Sequence, residues 1–193
     1  MDAAVHVGEG EESTEEYAVT LAASLAGQAI HEGRAVGLIT HTASPILIPP
    51  RKGHEQLWEL LRVLAPVYAT SKVNLHDLLS LAMPALSRNM SVAIITPSSD
   101  PGWFDGLGML LTHGITPTVM LIDGSSFDGG PSLAGVQGAL ADLGVPSHVI
   151  GKGYGLRPET RAAQEPEYKV LGTGRVVVVN PRTQSEWVPV GPG

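Results

Sequence analysis

The sequence contains no cysteine. This absence excludes disulfide bonds, thiolate metal sites and cysteine nucleophiles, and it leaves the redox compartment open. Aromatic residues make up 5% of the chain and charged residues 16%, against 43% apolar residues. That balance is typical of a globular body and not of a disordered chain or a coiled coil. The length of 193 residues fits one domain with additional C-terminal structure.

Basic residues are also few, and they are scattered along the chain. Twelve Lys and Arg stand against nineteen Asp and Glu, which gives a formal net charge of −7. A protein that tracks a nucleic-acid backbone requires a patch or stripe of positive charge, and the chain offers none. We therefore expect no nucleic-acid ligand.

Long apolar runs are missing as well. No run approaches the roughly 20 residues that a membrane-spanning helix requires. The segment from Met1 to Glu12 is acidic, whereas a signal peptide begins with a basic region followed by an apolar one. We expect a soluble, cytoplasmic fragment that makes no membrane contact of its own.

Apolar periodicity predicts an alternation of helices and strands. A capping box formed by Ser13 and Glu16 begins a helix that ends at Gly33. Pro49 and Pro50 are expected to end the second strand. The alternation predicts an α/β fold with a Rossmann-like, open, mostly parallel sheet and helices on both faces. The further predicted strands are 35–40, 46–48, 92–95, 116–122 and 147–150, and the further predicted helices are 57–64, 74–86 (kinked or shortened at Pro84), 101–113 and 132–143.

Both ends of the chain differ from this pattern. A doubly wound domain requires a central strand before its first helix, and only Ala3 to Val7 is available. We therefore expect residues 1–150 to form the α/β domain without part of its first strand, as the C-terminal piece of a longer protein. Residues 151–193 are rich in glycine, proline and charge. We expect a short β extension there, packed on the same domain, with a strand at 176–179 and an extended piece at 187–190.

Three stretches of the chain resemble a known bacterial family. They are STEEYAVTLAASLAGQAIHEGRAVGLIT, ILIPPRKGHEQLWELLRVLAP and VAIITPSSDPGWFDGLGMLLTHGITPTVMLID. Residues 2–150 are similar to the family called domain of unknown function 58. Its members are typically longer chains, with N-terminal membrane-spanning helices and a C-terminal von Willebrand factor A-like domain. They are often encoded near an AAA ATPase of the MoxR type. The resemblance implies this fold, a membrane-attached parent protein and a MoxR-type AAA ATPase as partner.

The same resemblance raises the question of a metal site. A von Willebrand A fold usually binds a divalent cation through an Asp-x-Ser-x-Ser motif, a threonine and a further aspartate, because Mg²⁺ prefers oxygen ligands. Only the first of the matching positions here has a side-chain oxygen, so the resemblance implies a degenerate site and no cofactor. A shift of a few residues in this placement would bring Thr96 or Asp100 into play. The matching positions are Asp2, Ala4, Val73 and Pro97.

Other motifs do not indicate a catalyst. The chain has no Gly-x-Ser-x-Gly elbow and no His-x-x-x-His metal pair. The Gly8-Glu9-Gly10 turn is surrounded by carboxylates, which repel phosphate. The loop from Gly151 to Gly155 has a better charge for an anion but no clear helix after it. We therefore expect that the chain is not an enzyme.

The loops after the strands carry the remaining candidates, because α/β folds place their binding sites at the carboxyl ends of the strands. An exposed tryptophan there would be an interface anchor. We hypothesise a non-catalytic protein-interaction domain. The alternatives are a small-ligand or metal-binding enzyme domain that uses the same crevice, and a structural role within the parent chain or a homodimer. The partner-binding candidates are His41, Thr42, Ser98, Ser99, Asp100 and Trp103.

Overall fold

The computed structural model describes residues 2–127 and 129–155, together with two later strands. The chain divides into two compact units at residue 156, and each is described by itself. The helices of the first unit are α1 (Thr14–His31), α2 (His54–Leu64), α3 (Leu75–Ala82), α4 (Phe104–Thr112) and α5 (Ala134–Asp142). Its strands are β1 (Gly8–Glu9), β2 (Glu12–Ser13), β3 (Val36–His41), β4 (Pro45–Arg51), β5 (Ser91–Thr96), β6 (Thr116–Ile122) and β7 (Ser147–Ile150).

Strands β5, β6 and β7 form a parallel sheet in that order. Successive side chains of a strand point to opposite faces of its sheet. Accordingly, Ile94 and Leu121 pack in a core with residues of α3, α4 and α5, while Ile95 and Ile122 pack in another cluster with Ala18 of α1. Helices therefore cover both faces of this sheet, and the predicted α/β fold with a parallel sheet is confirmed.

Strands β3 and β4 form a separate antiparallel hairpin. The prediction that Pro49 and Pro50 end the second strand was wrong, because β4 continues to Arg51. The register of the hairpin shifts between Val36 and Leu38, opposite the two prolines. Proline lacks an N–H group and is tolerated in a strand at such an irregularity, where no ladder hydrogen bond is required of it.

The hairpin packs on α1 and α2. Ala26 and Ile30 of α1 contact a cluster that includes Ile48 of β4 and Leu60 of α2. Gln56, which is buried on α2, donates through Nε2 to the carbonyl oxygens of Val36 and Pro49, at 2.7 and 3.0 Å. One side chain thus joins α2 to both strands of the hairpin.

Several predicted helix ends are present. Ser13 Oγ accepts a hydrogen bond from the Glu16 amide at 3.2 Å, which is half of the predicted capping box. Asn74 Oδ1 accepts from the Asp77 amide at the start of α3. Helix α3 then gives way to a 3-10 turn that contains Pro84, and this is the shortening that the proline predicted.

The N-terminal segment differs from the expected first strand. Ala3–Val5 form a 3-10 turn, and Asp2 Oδ1 accepts a hydrogen bond from the Ala4 amide at 3.0 Å. A short acidic side chain that binds nearby backbone in this way favours a turn over a strand. The strands β1 and β2 that follow make a small hairpin next to α1.

In the second unit, β8 (Glu167–Val170) pairs antiparallel with β9 (Val176–Val179). The predicted strand at 176–179 is therefore confirmed, and the predicted extended piece at 187–190 lies outside the described residues. Among the residues that the structure describes, no helix combines the length and the apolar character required to cross a membrane.

Candidate functional site

The segment 65–74, which joins α2 to α3 and is called the 65–74 loop below, is held at three points. The Glu15 carboxylate on α1 accepts a hydrogen bond from the Ala69 amide. The Ala3 amide donates to the Ser71 carbonyl oxygen at 2.9 Å. The Ser71 side chain, only 2% exposed, contacts His41 at the end of β3. The loop is therefore tied to α1, to the N-terminal segment and to the hairpin.

The contact between Ser71 and His41 is a side-chain hydrogen bond with 2.8 Å between Oγ and Nδ1. Ser71 Oγ also accepts from the Val73 amide at 2.9 Å. The Ser71 side chain therefore joins the His41 ring to the backbone of the 65–74 loop. Because Ser71 is buried, this pair fixes the loop to the end of β3.

The end of β5 is built from three successive side-chain turns. Thr96 Oγ1 accepts from the Ser98 amide at 3.1 Å, and Ser98 Oγ accepts from the Asp100 amide at 3.3 Å. Asp100 Oδ1 then accepts from the Gly102 amide at 2.9 Å. Each side chain binds the backbone two residues ahead, which is how such residues stabilise turns. These groups shape the loop that leads into α4.

The predicted partner-binding residues divide into two groups by exposure. His41, Thr42 and Ser99 are partly exposed and Asp100 is exposed, whereas Ser98 and Trp103 are buried. The Trp103 indole is 2% exposed and lies in the main core, with its ring centroid 4.6 Å from that of Phe104. The structure thus places Trp103 inside the protein and not at the surface, because the 3-10 turn Pro101–Trp103 packs against α3.

The positions that match the metal site of the fold offer few ligands. Asp2 forms an isolated parallel backbone bridge with Ser71, and its Oδ1 accepts a hydrogen bond from the Ala4 amide. Ala4, Val73 and Pro97 offer no side-chain oxygen. Among the described residues, no group of three or more His, Cys, Asp or Glu side chains is placed to hold a metal ion.

The sequence analysis missed Tyr68. This side chain is 62% exposed and lies in the 65–74 loop, one residue before Ala69 and three before Ser71. A large exposed aromatic residue on a loop that is fixed at several points is suited to contact a partner. The sequence could have indicated Tyr68 as an aromatic residue in a stretch without helical or strand periodicity. This stretch follows directly after the apolar stripe of α2.

The loop from Gly151 to Gly155 has its backbone amides engaged. The Lys152 amide donates to Ser126 Oγ and the Gly153 amide donates to the Tyr17 hydroxyl, both at 2.8 Å. An anion-binding loop presents such amides to its ligand. Here they join the segment after β7 to α1 and to the loop after β6.

Comparison with known protein families gives a match. A family model described as "Protein of unknown function DUF58" matches residues 1–123, which is more than half of the chain. The matched range includes β3, β5, the 65–74 loop and every predicted partner-binding residue. No curated protein and no solved structure matches the chain significantly.

Proposed function

Since this chain belongs to the DUF58 family, whose function is unknown, we propose its function from its own geometry. It is a non-catalytic protein-interaction domain that contacts a partner through the loops at the carboxyl ends of its strands. Its scaffold is a von Willebrand factor A-like α/β domain with a degenerate metal-ion-dependent adhesion site. It forms the C-terminal part of a longer, membrane-associated bacterial protein.

One observation carries this proposal: an exposed aromatic side chain stands on a loop that is fixed at three points. Tyr68 lies in the 65–74 loop, which is bound by Glu15, Ala3 and His41. A rigid loop loses little conformational entropy on binding, and an aromatic residue buries a large area when a partner covers it. Such a combination favours recognition of a protein surface.

The polar groups of the same edge support binding over catalysis. The hydroxyls of Ser71, Thr96 and Ser98 are buried and accept hydrogen bonds from the protein's own backbone. A catalytic centre requires titratable groups that converge on a substrate. The polar side chains of this edge are instead directed at the turns that they stabilise.

The parallel sheet and its helices support the von Willebrand A-like scaffold. Helix α1 covers one face of the sheet and α3, α4 and α5 cover the other. Asp2 lies close to the end of β3 through its bridge with Ser71, the residue whose side chain binds His41. In an α/β fold of this kind, the carboxyl ends of the strands are the usual binding edge.

The proposed partner is a MoxR-type AAA ATPase, and the test is a binding measurement with single variants. The purified chain is titrated with the purified ATPase, and the dissociation constant is measured. Tyr68→Ala is expected to raise the dissociation constant about 30-fold, as for a central aromatic anchor. Trp58→Ala is the matched control, because Trp58 is similarly exposed at 67% but lies on α2. Its effect is expected to stay below about threefold.

Two outcomes would contradict the proposal. Absence of binding by the unmodified chain would reject this ATPase as the partner. A large effect of Trp58→Ala with none for Tyr68→Ala would place the interface on α2 and away from the strand ends. Thermal melting of each variant, compared with the unmodified chain, separates lost binding from lost folding.

A further inference from the structure

The outward face of α2 exposes a large aromatic side chain. Trp58 is 67% exposed, the highest value among the large apolar residues in the described part of the chain. The buried residues of this helix, Gln56, Leu60 and Leu64, lie on its other side. Tryptophan is strongly enriched at the centres of protein interfaces, because it removes a large area from water when a partner covers it. The charges around Trp58 then indicate which partner fits this face.

Two charges of opposite sign flank Trp58 along the helix. Glu55 precedes it by three residues and Arg62 follows it by four, and both side chains are exposed. Residues at these spacings lie on neighbouring turns of one helix face. Glu55 and Arg62 are therefore on the same side of Trp58, two turns and about 10 Å apart along the helix axis.

Glu55 and Arg62 do not neutralise each other within one chain. Side chains pair along a helix at spacings of three or four residues, and these two are seven residues apart. Neither they nor Glu59, which is exposed beside them, form an ion pair with another residue that the structure describes. Each chain thus presents an aromatic anchor between a carboxylate and a guanidinium that have no charged partner in this part of the chain.

A second copy of the chain presents these charges in the complementary order. In a dimer with two-fold symmetry, the contact that residue i makes with residue j of the partner is returned by j and i. When two α2 helices pack antiparallel about an axis near Trp58, Glu55 of each copy faces Arg62 of the other. The two Trp58 rings then meet at the centre and the ion pairs lie at the rim, which is the usual anatomy of an interface.

We propose that α2 is a homodimer interface, in which the helices of two copies pack antiparallel through Trp58 and pair Glu55 with Arg62 of the other copy. A second copy suits this face because one surface supplies both charges that the pairing requires. The face of an eleven-residue helix is smaller than the about 800 Å² per partner of a standard interface, so the dimer is weak. The inference is independent of which partner the loops at the strand ends bind.

Sedimentation velocity of the full chain tests the proposal. The concentration runs from about 10 µM to about 1 mM, because an interface of this size binds weakly. Trp58→Ala is expected to raise the dissociation constant of the dimer at least about 30-fold. Tyr68→Ala is the matched control, because Tyr68 is 62% exposed but lies in the 65–74 loop, and its effect should stay below about twofold. A chain that stays monomeric over the whole range, or equal losses for both variants, would overturn the proposal.

Exchange of the two charges tests the antiparallel arrangement. Glu55→Arg alone and Arg62→Glu alone place like charges opposite each other, and each should raise the dissociation constant about tenfold. The double variant restores both ion pairs and should dimerise within about threefold of the unmodified chain. Thermal melting of every variant identifies any loss of folding.

A mixture of the two single variants is the last arm. One variant then carries arginine at both positions and the other carries glutamate at both, so the mixture should form a heterodimer at concentrations where each variant alone is monomeric. A mixture that does not associate, or a double variant that dimerises no better than the single ones, would refute the pairing of Glu55 with Arg62.

Discussion

Two sheets of the first unit, the hairpin β3–β4 and the parallel sheet β5–β6–β7, are held in different ways. The parallel sheet contributes to a cluster of twelve buried residues, and the hairpin to a cluster of four among the described residues. Each single contact therefore contributes a larger share of the free energy that attaches the hairpin to α1 and α2. The parallel sheet therefore depends on a large volume of apolar side chains, whereas the hairpin depends on a few specific contacts, among them the buried amide of Gln56.

The largest effect is expected for substitutions in the core of the parallel sheet, measured as a loss in the free energy of unfolding. Leu107 on α4 is fully buried in the large cluster, and Leu60 on α2 is almost fully buried in the small one. Leu107→Ala should reduce the free energy of unfolding by about 4 kcal/mol and Leu60→Ala by about 2.5 kcal/mol, because a small cluster collapses more readily around a cavity. Urea denaturation of both variants measures the difference. Equal losses would mean that the two clusters are equally rigid.

The next largest effect is expected when the hydrogen bonds between Gln56 and the hairpin are removed. Gln56→Leu preserves much of the side-chain volume but leaves the carbonyl oxygens of Val36 and Pro49 without this donor. We expect a loss of about 2 kcal/mol in the free energy of unfolding. Gln28→Leu is the control, because Gln28 makes an exposed contact with Glu32 on α1 and should cost about 0.3 kcal/mol. A loss for Gln56→Leu as small as that of the control would show that apolar packing alone anchors the hairpin.

A smaller effect is expected when the hydrogen bond between the 65–74 loop and the hairpin is removed. Ser71→Ala removes the hydrogen bond to His41 and the acceptor for the Val73 amide. We expect it to cost about 1.5 kcal/mol. In a double-mutant cycle with His41→Ala, the coupling energy should be about 1 kcal/mol. Additive losses in denaturation experiments would indicate that the two side chains act independently.

The smallest expected effect concerns metal ions. A cation held by Asp2, Thr96 or Asp100 would link the strand ends to one another. The hairpin and the parallel sheet would then no longer be held in different ways. A ligand at about 100 times its dissociation constant adds about 2.7 kcal/mol to the native state. We expect the thermal midpoint to change by less than about 1 °C in millimolar Mg²⁺, Mn²⁺ or Ca²⁺. A rise of several degrees would favour the alternative of a metal-binding enzyme domain.

Much of the fold was predictable because its signals are local. The apolar run 116–122 and the short strand 147–150 appear with the predicted bounds. The Asn74 cap and the shortening of α3 before Pro84 follow from hydrogen bonding and ring geometry over a few residues. These interactions depend on neighbouring residues, so a single sequence reveals them.

The candidate site was less predictable, because exposure depends on packing between distant segments. Trp103 follows a polar loop in the sequence but packs into the core beside Leu79. Tyr68 has no pattern that marks it, and its prominence arises because Glu15, 54 residues before Ala69 in the chain, fixes the loop next to it. Neither outcome follows from local propensity.

The sequence by itself determined the order of helices and strands, the absence of thiol chemistry and the turn-forming residues, since all of these depend on composition or on contacts within one turn. Only the tertiary structure decided that Pro49 and Pro50 lie within β4, that Ser71 binds His41, and that Trp103 is buried. These features depend on which segments meet across the fold, and that is set by the summed burial of apolar surface over the whole domain.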